Sequence, residues 1–229
     1  MAKYLIVGGT TGIGAELAQI LSNKGHEIIV TGRGTNTSLV GTFLQWDANN
    51  DTQLSIPSEY LDGVVYCPGT IALKPFHRFT DEEILQDFTI NALGAARILR
   101  ETFPLLKKST SPAVVLFSTV AVQTGMAFHA SIGMAKGAIE GLTRSLAAEW
   151  APTIRVNAIA PSLTQTPLAE KLLSTPEKIE AGNKRHPLGR VGSAHDLAAT
   201  AAFLLSQDAS WITGQIFHVD GGMGNLKSM

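Results

Sequence analysis

The chain has 229 residues, enough to bury one α/β core, and its 45% apolar and 16% charged content is that of a globular rather than a disordered protein. A formal net charge of −1 with no basic run argues against nucleic acid or an anionic membrane surface as partner. The single cysteine, Cys67, excludes an internal disulfide framework and suits a reducing compartment. Met1-Ala2-Lys3 runs straight into the first strand pattern, so no signal peptide is expected, and Gly, Thr, Asn or charged residues interrupt every apolar run before it is long enough to span a bilayer. A cytoplasmic location is therefore expected. Residues 1–229 show no repeat or linker and read as a single domain.

Taken in order, Tyr4 to Val7 is a short apolar run that ends in glycines, and Ile13 to Leu21 is amphipathic: strand, tight turn, helix. Glu27 to Thr31 and Thr42 to Trp46 read as the second and third strands. The Gly-, Thr-, Asn- and Ser-rich stretch from Gly32 to Gly41 gives little support for a helix between them. Gly63 to Cys67 is the fourth strand and Ala113 to Phe117 the fifth. One long helix from Asp81 to Leu106 connects them, with acids in its first turn and lysines just after it, as the helix dipole favours. A helix from His129 to Trp150, a strand at Ile154 to Ile159, an irregular segment, a helix near Ala194 to Ser206 and a strand at Gln215 to Val219 complete the chain. Such alternation implies an α/β fold, a doubly wound parallel sheet of the Rossmann type with helices on both faces. Ligands of such sheets bind beyond the carboxyl ends of the strands.

At the first of these ends lies Gly8-Gly9-Thr10-Thr11-Gly12-Ile13-Gly14. Glycines there permit a tight turn and let backbone approach a pyrophosphate, which then rests on the helix N-terminus. Strand, motif and helix in this order predict a dinucleotide site. The second strand ends Thr31-Gly32-Arg33, with no carboxylate to hold a ribose diol and with an arginine suited to a 2′-phosphate. NADP(H) is therefore expected over NAD(H).

The spacing Gly8-x3-Gly12-x-Gly14 resembles the fingerprint of the short-chain dehydrogenase/reductase family, with Val7 where a threonine is usual. Asp47 is similar to the family's adenine-contacting aspartate, and Asn91-Ala92-Leu93-Gly94 to the helix segment bearing its structural-catalytic asparagine. Tyr66-Cys67-Pro68-Gly69 stands where the family has Asn-Asn-Ala-Gly and keeps only Gly69. Ile154-Arg155-Val156-Asn157 followed by Pro161 and Thr166 resembles the strand and loop that hold the nicotinamide carboxamide. Thr213-Gly214-Gln215 and Asp220-Gly221-Gly222 match the C-terminal signature.

The resemblance implies hydride transfer from the nicotinamide and a proton delivered by a tyrosine four residues before a lysine, whose charge lowers the phenol's pKa and which binds the ribose. Here the lysine corresponds to Lys136 and the substrate-orienting serine to Thr119, with Ser118 beside it. Four residues before Lys136 stands Ile132, which transfers no proton, so the chain reads as an atypical member. His129 offers a different arrangement. At about 100° per residue, seven residues bring a side chain nearly back into line about 10 Å along a helix, so His129, Ile132 and Lys136 share a face while Ser131 points elsewhere. His129-x6-Lys136 is similar to the tyrosine-x6-lysine spacing of enoyl-acyl-carrier-protein reductases, which stabilise an enolate, a task a histidine can perform. The glycine motif, by contrast, is not of the enoyl reductase type.

Three functions stay open at this level: an NADP(H)-dependent oxidoreductase of altered mechanism, an enoyl or dienoyl thioester reductase, and a catalytically silent NADP(H)-binding sensor or structural subunit. His77, His186, His195 and His218 have no ligand spacing with one another or with Cys67, so no metal is expected. Between Pro161 and Arg190 a long segment reads as a lid, helix-forming at Ala169 to Leu173, whose Leu163, Leu168, Leu172 and Leu173 favour a hydrophobic small-molecule substrate. A homodimer or homotetramer is implied by the resemblance, and small residues such as Ala95, Ala96, Gly137 and Gly141 suit close helix packing.

Overall fold

The computed structural model describes residues 1–34, 40–50 and 52–226. Half of the stretch expected to lack a helix, residues 35–39, lies outside the described residues. β1 (Lys3–Val7) leads into α1 (Gly12–Asn23), then β2 (Glu27–Gly32), β3 (Thr42–Gln45) and β4 (Gly63–Tyr66). α2 (Asp81–Phe88) runs through one π-helical turn (Thr89–Leu93) into α3 (Gly94–Leu106), followed by β5 (Ala113–Phe117), the short α4 (Ala121–Thr124) and α5 (Ala130–Trp150). β6 (Arg155–Pro161), β7 (Thr164–Gln165), a 3-10 stretch (Pro167–Leu173), α6 (Pro176–Arg185), β8 (Gly192–Ser193), α7 (Ala194–Leu205) and β9 (Ile216–Val219) follow. Seven strands form a parallel sheet in the order β3-β2-β1-β4-β5-β6-β9, and β7 pairs with β8 beside it.

Both faces of the sheet are covered, which is why its strands are apolar throughout rather than alternating. From β1, Leu5 and Val7 join a core containing Ile98 and Leu99 of α3 and Ile139 of α5. Tyr4 and Ile6 point the other way, among Leu17 and Leu21 of α1 and Leu197 and Leu204 of α7. Strand order reverses between β1 and β4: the chain leaves β1 for α1 on one face and β4 for the α3 face on the other, which opens a crevice at their carboxyl ends.

The helix expected from Asp81 to Leu106 is not uniform. Its π-helical turn releases the Ile90 carbonyl, which accepts a hydrogen bond from Tyr66 Oη at 2.6 Å. Gly94 makes room for that phenol, since a Cβ there would lie 2.3 Å from Tyr66 Oη. Periodicity alone did not expose this turn, because one extra residue barely alters an apolar face. Gly94→Ala is expected to lower stability by about 1–3 kcal/mol through this overpacking, read as a lower thermal midpoint. The helix expected from His129 begins one residue later, with His129 as its N-cap. The irregular segment after β6 contains α6, capped by Thr175, whose side chain accepts from Lys178 N at 3.3 Å, with Pro176 in the first turn.

Candidate active site

The glycine turn is held by Thr31 of β2: Gly8 N donates to its Oγ1 at 3.3 Å and Gly9 N to its carbonyl at 3.0 Å. Gly8 and Gly12 have φ of +73° and +55°, in the left-handed region, and a Cβ on Gly14 would lie 2.4 Å from Gly8 O. Thr11, the N-cap of α1, makes no side-chain cap bond, so the first-turn N–H groups are left to the crevice. That crevice encloses about 440 Å³. Gly8, Thr10, Thr11, Gly12, Ile13 and Gly14 line it, as do Arg33, Asp47, Gly69 and Thr166. Asp47 is partly buried and accepts from Asn49 N and Nδ2 at 3.0 and 3.1 Å. A glycine-rich cradle, open to helix N–H groups, fits a dinucleotide.

A second chamber of about 290 Å³ shares Ile13, Cys67, Gly69, Thr70, Thr166 and Leu168 with the crevice, so the two are continuous. Thr119, His129, Ile132, Lys136 and Pro161 line this chamber rather than the crevice, and Leu73, Leu163 and Leu172 contribute apolar wall. Lys136, 7% exposed, donates from Nζ to Phe117 O at 2.8 Å. Burial holds its ammonium down to about 8, with the nearby Cys67 sulfur acting in the opposite sense. Burial likewise pushes the Cys67 thiol up to about 12, which leaves it protonated and weakly reactive.

Asn91 lines neither cavity. It is fully buried in the π-helical turn behind Gly69, donating from Nδ2 to Asp87 O at 2.8 Å and to Thr70 Oγ1 at 2.7 Å. Its Oδ1 is buried with no protein partner. Thr70 in turn donates to Asp87 Oδ1 at 2.6 Å, and Ser131 to Asp87 Oδ2 at 2.5 Å. Ser131, expected to point elsewhere, is thus a buried link between α5 and α2. Ser118 and Thr119 both line the chamber: the buried Ser118 hydroxyl donates to Glu140 Oε1 at 2.9 Å, and Thr119 beside it is partly exposed. His129 is partly buried, with Nδ1 2.7 Å from Ala127 O. Thr70, Asp87 and Ser162 were not singled out from the sequence, because their partners lie 17 to 58 residues away.

A family model described as Enoyl-(Acyl carrier protein) reductase matches residues 7–224. A tropinone reductase homolog of Arabidopsis thaliana is 35% identical over 240 residues, spanning 96% of this chain and 91% of its own. The chain belongs to the short-chain dehydrogenase/reductase family. Among solved structures, a short-chain dehydrogenase family protein of Francisella tularensis is 25% identical with a TM-score of 0.89, covering 97% of this chain and 98% of its own. Thermoplasma acidophilum aldohexose dehydrogenase has the same fold, with a TM-score of 0.92 at 24% identity over 100% of this chain and 96% of its own. The protein is thus an oxidoreductase of a family that uses a nicotinamide cofactor on small molecules. Among the described residues no helix is long and apolar enough to cross a membrane.

Proposed function

We propose that the protein is an NADP(H)-dependent short-chain oxidoreductase whose proton chemistry does not pass through a tyrosine at position 132. The observation that carries this is the continuity of a glycine-rich cradle with an apolar chamber that holds Thr119 and Lys136 but presents Ile132 one helical turn before the lysine. The residues that would hold the cofactor are the glycine turn from Gly8 to Gly14, Arg33 at its 2′-phosphate, Asp47 at its adenine, and Gly69, Lys136, Pro161 and Thr166 toward the nicotinamide. Asn91 supports that end from behind Gly69. When bound, the cofactor supplies or accepts the hydride. Lys136 contributes positive charge in a dry site, where it acts with little screening. Thr119 offers its hydroxyl to a substrate oxygen, and the leucines around the chamber favour a hydrophobic substrate.

Arg33 is exposed at the crevice rim. Arg33→Glu is expected to weaken NADPH binding by about 10- to 100-fold, the loss of one charge-assisted contact, while NADH binding changes little. Calorimetric titration with both cofactors reads this, and an unchanged ratio would remove Arg33 from the phosphate site. The RhlG/NADP active-site complex of Pseudomonas aeruginosa shares this fold with a TM-score of 0.89.

An enoyl or dienoyl thioester reductase is the second reading, favoured by His129 and Lys136 lining one apolar chamber. Oxidation of NADPH against tropinone, acetoacetyl-CoA, crotonyl-CoA and a dienoyl-CoA separates the two. Tight NADPH binding with turnover of none of them supports the silent sensor instead. A homo-oligomer belongs to this reading too: Trp211, 99% exposed, and Phe203 lie by the last helix and strand, where the family assembles.

A further inference from the structure

Ser162 follows Pro161 at the end of β6 and lines the chamber. Val120 N donates to Pro161 O at 3.1 Å, so Ser162 leaves the sheet edge beside Thr119 and Val120. Its Oγ lies 2.8 Å from His186 Nε2 and 3.2 Å from the Asp220 carbonyl. His186 closes the C-terminus of α6, is 3% exposed, and has Nδ1 2.7 Å from Gly182 O. A carbonyl only accepts, so Nδ1 carries hydrogen in either charge state and Nε2 is the atom that gains or loses one.

Two hydrogen-bonded states follow. With the ring neutral, the Ser162 hydroxyl donates to Nε2. With the ring charged, Nε2 donates to Ser162 Oγ, and the serine hydrogen is released to the Asp220 carbonyl or to an oxygen in the chamber. A hydroxyl backed by an imidazole that a third group orients is the arrangement by which proteins move protons through serine. The protein needs such a group, because Ile132 transfers no proton.

We propose that Ser162 exchanges the proton with the substrate oxygen and that His186 is its proton partner. The proposal rests on the oxidoreductase reading above. In reduction, hydride adds to the substrate carbon and the electron pair of the double bond moves to oxygen. That oxygen takes the Ser162 hydrogen, Ser162 takes the Nε2 hydrogen, and the imidazolium becomes a neutral ring still donating to Gly182. After product leaves, the proton returns from solvent in the chamber by way of the Ser162 hydroxyl, since the ring itself is buried. Oxidation runs the same transfers backwards, with the alcohol proton ending on Nε2. The charged groups around the ring are Asp220, whose carboxylate accepts from Gly222 and Gly224 N–H at 2.8 Å, and its chain neighbour Arg185. From α5, His129 and Lys136 face the same chamber.

The test uses NADPH with the four probes above, on the full chain. Ser162→Ala is expected to lower kcat about 10²-fold with NADPH affinity and KM within about threefold, and Ser162→Thr to restore most of it. His186→Gln is expected to lower kcat about as far as Ser162→Ala and to change the shape of the pH profile of kcat. A merely structural staple between α6 and β6 would lower the thermal midpoint without changing the profile. Nitrogen-15 NMR of histidine-labelled protein reads the ring directly: the Nε2 resonance is expected to respond to Ser162→Ala, while Nδ1 keeps its hydrogen on Gly182 O. Turnover lost in Lys136→Ala but kept in Ser162→Ala overturns the relay and leaves the oxidoreductase reading standing. So does loss confined to His129→Ala. If wild type turns over none of the probes, the oxidoreductase reading falls, and an Nε2 resonance that Ser162→Ala leaves unchanged overturns the relay independently.

Discussion

Lys136→Met is expected to abolish most turnover and at the same time to raise the melting temperature. The ammonium is buried, and its pKa falls from 10.5 in the unfolded chain to about 8 in the native one. Between these values the unfolded chain binds more protons, so stability rises with pH through that window. Below about pH 8 the full penalty is present, about 3 kcal/mol for a displacement of this size. Methionine removes the penalty, fills similar volume and forfeits the bond to Phe117 O, which is worth about 1 kcal/mol. The net expectation near neutral pH is a gain of about 2 kcal/mol, or about 4–8 °C, which falls through zero to a small loss as the pH is taken toward 10.5. Turnover should fall by about 10²–10³-fold with the loss of charge at the nicotinamide end. Scanning calorimetry at two pH values and steady-state rates check both halves. A melting point that falls at neutral pH would mean the lysine is not held at a cost.

The second large effect is a gain. Ile132 is 5% exposed, lines the chamber and precedes Lys136 by one helical turn. A tyrosine there would place a phenol beside a buried ammonium, which lowers its pKa and makes it a proton donor. Ile132→Tyr is expected to raise reduction of a ketone such as tropinone about 10²-fold, and to restore turnover in the Ser162→Ala background. NADPH oxidation measured in the single and double variants reads both. An intact, NADPH-binding Ile132→Tyr with no gain would show that Thr119 and Lys136 are not placed for carbonyl chemistry.

The elements differ in how far they could be read in advance. All seven strands of the main sheet were legible to within two residues, because strands buried on both faces are short apolar runs bounded by turn residues. α6 was missed although its signals were present: Thr175 as cap, Pro176 and Glu177 in the first turn, Lys184 and Arg185 in the last. Its low hydrophobic content hid it. His129 was placed inside a helix it only caps, an error of one residue that periodicity does not resolve.

Within the site, Ile132 is where the two kinds of information part. Sequence alone determined the family fold, the glycine cradle with Arg33 beside it, and the isoleucine one turn before Lys136, since these rest on local spacing and residue chemistry. Only the tertiary structure decided which partner each hydroxyl of the site meets. Ser118 turns to Glu140 and Ser131 to Asp87, while Ser162 meets His186 across 24 residues of chain. The physical reason is that a buried polar group must find a partner, and which partner is within reach depends on packing rather than on position in the chain.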